Sequence, residues 1–532
     1  MFVGVKFLLG LSRDATTIWR SSLFAVRLTA LVMASVAFSG VLFVTEPPGP
    51  GLQESSASYL GAAESVARGD GFRAPVAPWF SADSSSSLAG YPPGYSAALA
   101  LPVAMGFPAV QAARLVEALS AFVAMATLIA MVGDAVGAGA AVLLGLALLV
   151  TPPLVNVHLF VLSEPLFLAC LALTLATMVA MPEQPLAAGV CAGAALLVQY
   201  AGIGAVIAVV VWTLGRRGTW RVRVKHTALA MLPSVLLAAA WCVSTHGVGA
   251  AIGPRLGAYP GLAHALANGG ATLTRWLVPR SHAVWWGRWI ALLAAVGVVA
   301  MLVSGSRRAY RLWRLLPEGL STQSSRTVPQ LIAARVLADS ALLAGSYAAV
   351  LIGARLFANG QIVFDYRLLS PLVMLASVAF AVAAANWWRL AVRPARVVLA
   401  VLLVVWGGAA AAASWRQAHE ALEYGAGLAH ETWRRSAMLE WTRNDGARYA
   451  LYSNWPSLGY FYLGRPARGL PEADDPATLR AFADTLASRG GVVLAFSARN
   501  ARYPLPDALV RAGGLRVIAT FPNGRVLGPA VP

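Results

Sequence analysis

Carboxylates are scarce in this sequence, yet Glu54, Glu64, Asp70 and Asp83 all fall between Gly51 and Gly106. A carboxylate in apolar surroundings can take the proton of an attacking hydroxyl, so acid–base chemistry is expected in this stretch. Two further charged spots mark the edges of apolar runs: Glu164 in VLSEPLFL, and Arg367 beside Asp365 in FDYRLLSPLV. Arg114 opens another apolar run, and Arg255 and Arg275 lie in a later polar segment. An arginine fork in such a place suits a phosphate or a carboxylate, with a lipid-snorkelling anchor as the plainer alternative. His158 is expected to be a satisfied interfacial histidine. His419 and His430, among Glu420, Glu423 and Glu431, fit a solvated helix better than a metal site.

Long apolar elements must position these groups. The chain of 532 residues is 58% hydrophobic and only 12% charged, with a mean hydropathy of +0.66. Several runs reach the length of about 20 residues that crosses a bilayer, which makes this a polytopic α-helical membrane protein. A net charge of +18 would suggest nucleic acid in a soluble protein. Here the basic residues sit in short segments between apolar runs, where the positive-inside rule accounts for them, and no nucleic-acid partner is expected. The three cysteines, Cys170, Cys191 and Cys242, fall inside apolar segments and read as small buried hydrophobes.

Spans are expected near 27–46, 112–132, 138–156, 162–181, 186–199, 200–215, 227–245, 285–304, 337–356, 368–387 and 397–414, about 11 crossings. The segments holding Arg216 to Lys225, Arg307 to Arg335 and Arg389 to Arg396 share a side with the N-terminus, and that side is expected to be the cytoplasm. The N-terminal segment reads as a retained anchor rather than a cleaved signal. The loop at 47–111 and the region from 414 onward then lie outside. Within the loop, Tyr59, Leu60, Ala63, Val66 and Ala67 form an apolar stripe suited to a helix in the membrane interface, with Glu54 at its N-terminus. Domain boundaries are expected at 1–413 for the membrane part and 414–532 for a small α/β region. In the latter, Ala450 to Ser453, Val492 to Phe496 and Leu515 to Phe521 read as strands, and Pro476 to Ser488 and Leu505 to Ala512 as helices. No glycine-rich phosphate loop, CxxC, HExxH or GxSxG motif occurs.

In order and spacing, ESSASYLGAAESVARGDGF, YPPGYSAAL, AARLVEALSAF, VLSEPLFL, GVCAGAALLVQYAGI and FDYRLLSPLV resemble a family. It is the polyprenyl-phosphate-sugar-dependent membrane glycosyltransferases of the GT-C fold, which include protein O-mannosyltransferases and the aminoarabinose transferase acting on lipid A. The resemblance covers most of the membrane part. It implies transfer of a sugar from a lipid phosphate to a hydroxyl of a glycan, lipid or protein at the outer membrane face, by an inverting displacement. It also implies a base at the start of the first outer loop, commonly four residues before the aromatic of the next helix. Here Ser55 holds that position and the acid is Glu54, one residue earlier. By the same resemblance Glu164 is a second acidic site residue. Tyr59, Arg114, Arg367, Arg255 and Asp83 are expected to bind substrate, and Asp83 or Glu64 could replace Glu54 as base. Cations or a divalent metal would hold the departing phosphate. Where the family often has a basic residue, this chain has Gln199. A transporter or flippase of lipid-linked substrates, or a non-catalytic cell-envelope assembly protein, remain as alternatives; against the former, the acids gather in a loop and no two-half symmetry is visible.

Overall fold

The structure is a computed structural model that describes residues 17–46, 48–83, 85–88, 90–216, 218–244, 262–277, 327–358, 362–472, 475–498, 500, 502–504 and 506–530. The expected span at 285–304, and Arg255, lie outside the described residues. By length and composition six described helices can cross a membrane, or seven if one bent pair counts as a single span. Four shorter apolar helices accompany them, Gly94–Ala104, Glu164–Ala180, Pro185–Val198 and Tyr200–Leu214. Among the described residues, full-length apolar helices account for six or seven of the expected spans of about 11.

Small residues let the helices approach one another. Along Thr17–Val44, Val26, Ala30, Ala34, Ala37 and Val41 recur every three or four positions, and all are buried. They pack mainly on Ala109–Val136, where a methyl added at Gly133 would lie 2.4 Å from Val26 Cγ1. In lipid such close backbone approach takes over part of the role that water exclusion plays in soluble cores. The segment expected to cross as 138–156 is instead Ala138–Val150 followed by Pro152–His158, bent by 60°. Pro152 and Pro153 lack the N–H groups a continuous helix would need, which explains the break.

The expected strands and helices beyond 450 are present, and the sheet is larger than the sequence pattern indicates. Its order is β2–β5–β4–β6–β8–β7, with β2 Val76–Ala77, β4 Ala450–Ser453, β5 Ala467–Arg468, β6 Gly491–Phe496, β7 Leu515–Phe521 and β8 Gly524–Pro529, while β1 Arg73–Ala74 and β3 Ser86–Ser87 pair separately. The strands β2, β5, β4 and β6 run parallel, and β7 and β8 close the sheet as an antiparallel hairpin. Every residue of β6 is buried, and Pro476–Ser488 packs over this part of the sheet with Leu479, Phe482 and Leu486. Strand β2 comes from the 47–111 loop, and Val76 pairs with Ala467. Two-residue strands carry no periodicity signal, so only long-range pairing defines them. Helix Arg393–Tyr424 runs through position 414 without interruption.

Helix Glu54–Ala67 is covered on more than one side. Tyr59, Leu60 and Ala63 enter the membrane core cluster, while Ala62 packs in a separate cluster with Ala74, Leu88 and Trp241. An interfacial helix with one wet face was expected; alanines and Gly61 instead let protein close over it. Its start is sewn into two neighbours: Gly51 N–H donates to Leu159 O (2.7 Å) and Val161 N–H to Gly51 O (2.9 Å). On the other side Leu428 N–H donates to Leu52 O (2.7 Å). Gly51 is required here, because a Cβ would stand 2.5 Å from the Phe160 ring. Gly427, at φ +57°, would place one 2.3 Å from Leu52 O.

Candidate active site at the rim of the bundle

The stitching at Gly51 and Leu52 fixes where the next two side chains go. Gln53 N–H donates to Ser56 Oγ (2.9 Å), whose hydroxyl donates to Val161 O (2.7 Å), so the helix begins in a single orientation. Helix Glu164–Ala180 begins beside it, with Pro165 in its first turn. Helix Tyr366–Leu390 starts there as well, capped by the Asp365 carboxylate, which accepts from Arg367 N (3.0 Å) and Leu368 N (3.1 Å). Three helix N-termini thus meet, and their partial positive charges favour an anion.

Arg367 joins the three. Its Nε donates to Glu164 Oε1 (2.9 Å) and its Nη1 to Gln53 Oε1 (2.6 Å), while Gln53 Nε2 donates to Tyr366 Oη (3.3 Å). Glu164 is only 2% exposed, and its Oε2 has no hydrogen-bond partner. Below this pair Ser163 Oγ meets Tyr59 Oη (3.2 Å) and accepts from Gln199 Nε2 (3.2 Å). Burial pushes the Tyr59 hydroxyl far above its usual range, with Glu164 adding to the effect, so it stays protonated. Gln199, where a basic residue was expected, holds Ser163 with a neutral amide.

Sequence reasoning missed Glu117. It is fully buried, its Oε1 accepts from Tyr95 Oη (2.9 Å) and Leu162 N (3.1 Å), and its Oε2 has no partner. Tyr95 in turn packs edge-on against Tyr59 with ring centroids 5.0 Å apart. An acid inside an apolar helix was the available signal, since such a group marks a functional site by default. The free oxygens of Glu117 and Glu164 are suited to a proton, a hydroxyl or a divalent cation. Among the described residues no group of three or more His, Cys, Asp or Glu gathers as a metal site.

Glu54 follows Gln53 but turns the other way. Its Oε1 accepts from Asn500 Nδ2 (3.0 Å), and its backbone carbonyl accepts from Ser457 Oγ (3.2 Å), both in the C-terminal region. Asn500 is itself held, donating to Asn454 O (2.8 Å). A helix N-terminus favours an ionised carboxylate, yet burial raises the Glu54 pKa, and the charge of Arg502 and the Asn500 hydrogen bond offset this only in part. A raised carboxylate is a stronger base than a solvated one.

The remaining expected site residues lie elsewhere. Arg114 donates from Nε to Thr45 Oγ1 (3.1 Å) and from Nη2 to Leu42 O (2.7 Å), where it caps the C-terminal end of Thr17–Val44. Asp83 pairs with Arg73 (3.0 Å) on an exposed loop. Arg275 is exposed. His158 donates from Nδ1 to Leu154 O (2.7 Å) and lines an apolar cavity of about 350 Å³ with Val36, Val41, Met125 and Leu168.

No protein-family model matches the chain, and no curated protein matches it by sequence. Solved structures do. ArnT from Cupriavidus metallidurans bound to undecaprenyl phosphate superposes at a TM-score of 0.51 with 17% identity, over 97% of this chain and 99% of that one. The arabinofuranosyltransferase AftD from Mycobacteria gives 0.52 with 16% identity, over 95% of this chain and 40% of that one. The chain therefore shares the fold of these two structures, the GT-C fold.

Proposed function

We propose that this protein transfers a sugar from a polyprenyl-phosphate donor to an acceptor hydroxyl at the outer face of the cytoplasmic membrane. One observation carries this: Arg367, bound to both Glu164 and Gln53, stands where three helix N-termini meet, and Gln53 immediately precedes Glu54, whose carboxylate pKa burial raises. The fold shared with ArnT, which in its structure binds undecaprenyl phosphate, supports a lipid phosphate as the group Arg367 receives.

In this scheme the donor phosphate takes up hydrogen-bond capacity of Arg367 and the positive helix ends, which stabilise the charge that grows as the sugar C1–O bond breaks. The acceptor oxygen attacks C1, and its proton passes to Glu54. Glu164 fixes the Arg367 fork, and Tyr59 and Gln199 fix Ser163 below it. The apolar cavity beside His158 is suited to part of the prenyl chain.

The orientation expected from charge fits this geometry. Arg27 pairs with Asp134 (2.8 Å) and Arg389 donates to Val136 O (2.6 Å), at the helix ends away from Glu54. With the N-terminus cytoplasmic, the Arg367 cluster and the C-terminal sheet face outward.

Transfer of radiolabelled sugar from a panel of polyprenyl-phosphate sugars in proteoliposomes tests the proposal. Glu54→Gln is expected to lower turnover by roughly 10²–10⁴-fold while donor binding persists. Turnover equal to the unaltered protein would remove Glu54 as base. Donor that crosses the bilayer without covalent change would identify a flippase instead.

A further inference from the structure

A second cavity, polar and of about 480 Å³, lies on a face of helix Glu54–Ala67 turned from the rim cluster and is lined by Glu64, Arg68, Asp70, Arg73, Ser85 and Tyr460. The volume falls within the roughly 300–1,000 Å³ of small-molecule sites. Gly61, Glu64, Ser65 and Arg68 line the helix side at i, i+3, i+4 and i+7 spacing. Their face is turned about 200° from Tyr59, which points into the rim cluster. The opposite wall comes from the C-terminal region through Tyr460. The floor is held by Pro75, which packs so closely on Gly61 that a Cβ there would lie 2.4 Å from Pro75 Cδ.

We infer that this cavity binds sugar residues of the acceptor, which makes the acceptor a glycan. The chemistry of the wall selects that class. Two carboxylates face two guanidinium groups, so a charged ligand gains no net attraction, whereas the mixture offers many acceptors and donors at once. Arg68 is already paired with Asp70 (3.3 Å) and Arg73 with Asp83 (3.0 Å), which holds the forks in place without filling them. A neutral polyol with neighbouring hydroxyls can bridge such carboxylates and guanidinium groups. The half-buried Tyr460 ring supplies the apolar platform on which the C–H face of a sugar lies. Burial and the neighbouring Glu64 carboxylate raise the Tyr460 hydroxyl well above its usual range, so it remains a donor.

The inference rests on the transferase reading for the word acceptor, and the experiment separates the two. The full chain in detergent is titrated with maltotriose, α-1,6-mannotriose and α-1,5-arabinotriose and followed by saturation-transfer difference NMR. At least one trisaccharide is expected to give a saturable signal. Tyr460→Ala, and Ser85→Trp as a cavity-filling variant of a half-buried position, should each weaken it at least tenfold. Glu64→Gln, which keeps the side-chain shape and guards against misfolding of the other two, should weaken it severalfold. No binding of any probe, or binding that Tyr460→Ala and Ser85→Trp leave intact, overturns the inference. Binding at this cavity without sugar transfer from any polyprenyl-phosphate donor keeps the glycan site and removes the transferase reading.

Discussion

Two arginine–carboxylate pairs of nearly equal length sit on either side of the same loop helix. Arg367 and Glu164 are 2.9 Å apart at the rim of the bundle, and Arg73 and Asp83 are 3.0 Å apart on the outer loop. Their surroundings differ far more than their distances: the Glu164 side chain is 2% exposed and that of Asp83 is 72% exposed. In the first pair the low-dielectric surroundings strengthen the attraction and make either partner costly to leave alone; in the second, water does most of what the partner does. Distance alone therefore does not identify a site. What identifies the rim cluster is burial, an amide as second partner on the same guanidinium, and carboxylate oxygens left over.

Substitutions can break or sharpen this contrast. Arg367→Ala should have the largest effect, because it leaves the Glu164 charge buried and unpaired at a cost of about 3–5 kcal/mol. Turnover should fall by about 10²–10³-fold or more, as for loss of a transition-state donor. Thermal unfolding in detergent and labelled-sugar transfer measure the two effects, and full activity in this variant would show that the rim cluster is not the site. Asn500→Ala should act more gently and through pH. Its amide stabilises the ionised form of Glu54, so removing it raises a pKa that burial already raises. The acidic limb of the pH–rate profile, already above the ordinary glutamate range, should move further up, with a loss under about tenfold at neutral pH. An unmoved limb would separate Asn500 from the titrating group. Asp83→Asn should do least, under about 1 kcal/mol in stability and at most a severalfold loss of turnover through the Arg73 side chain it pairs with. A large loss of turnover would return Asp83 to the catalytic scheme.

The two arginines that the sequence treats alike show why parts of the site were hidden. Arg114 and Arg367 each open an apolar run, and both were expected to bind substrate. One caps a neighbouring helix through Leu42 and Thr45, and the other meets Glu164 from 203 positions away. Nothing in the local pattern separates these fates, because each depends on which helix packs alongside. Glu117 was legible as an acid in an apolar helix and was overlooked beside Arg114. Gln53 was not legible, since an amide at a helix start has an ordinary local explanation. Strand β2 was hidden because two residues cannot show an alternating pattern, and only pairing with Ala467 and Arg468 makes it a strand.

By itself the sequence determined that this is an apolar helical chain and how its long helices and later strands are spaced. It also placed Glu54, Glu164 and Arg367 at the edges of apolar segments. These are local properties, written in runs of a few to some twenty residues. Tertiary structure decided which charges meet, that Glu54 is held by Asn500 in the field of Arg502, and that the outer loop completes the C-terminal sheet. Those outcomes depend on contacts between residues hundreds of positions apart, and burial, which only packing creates, sets their strength.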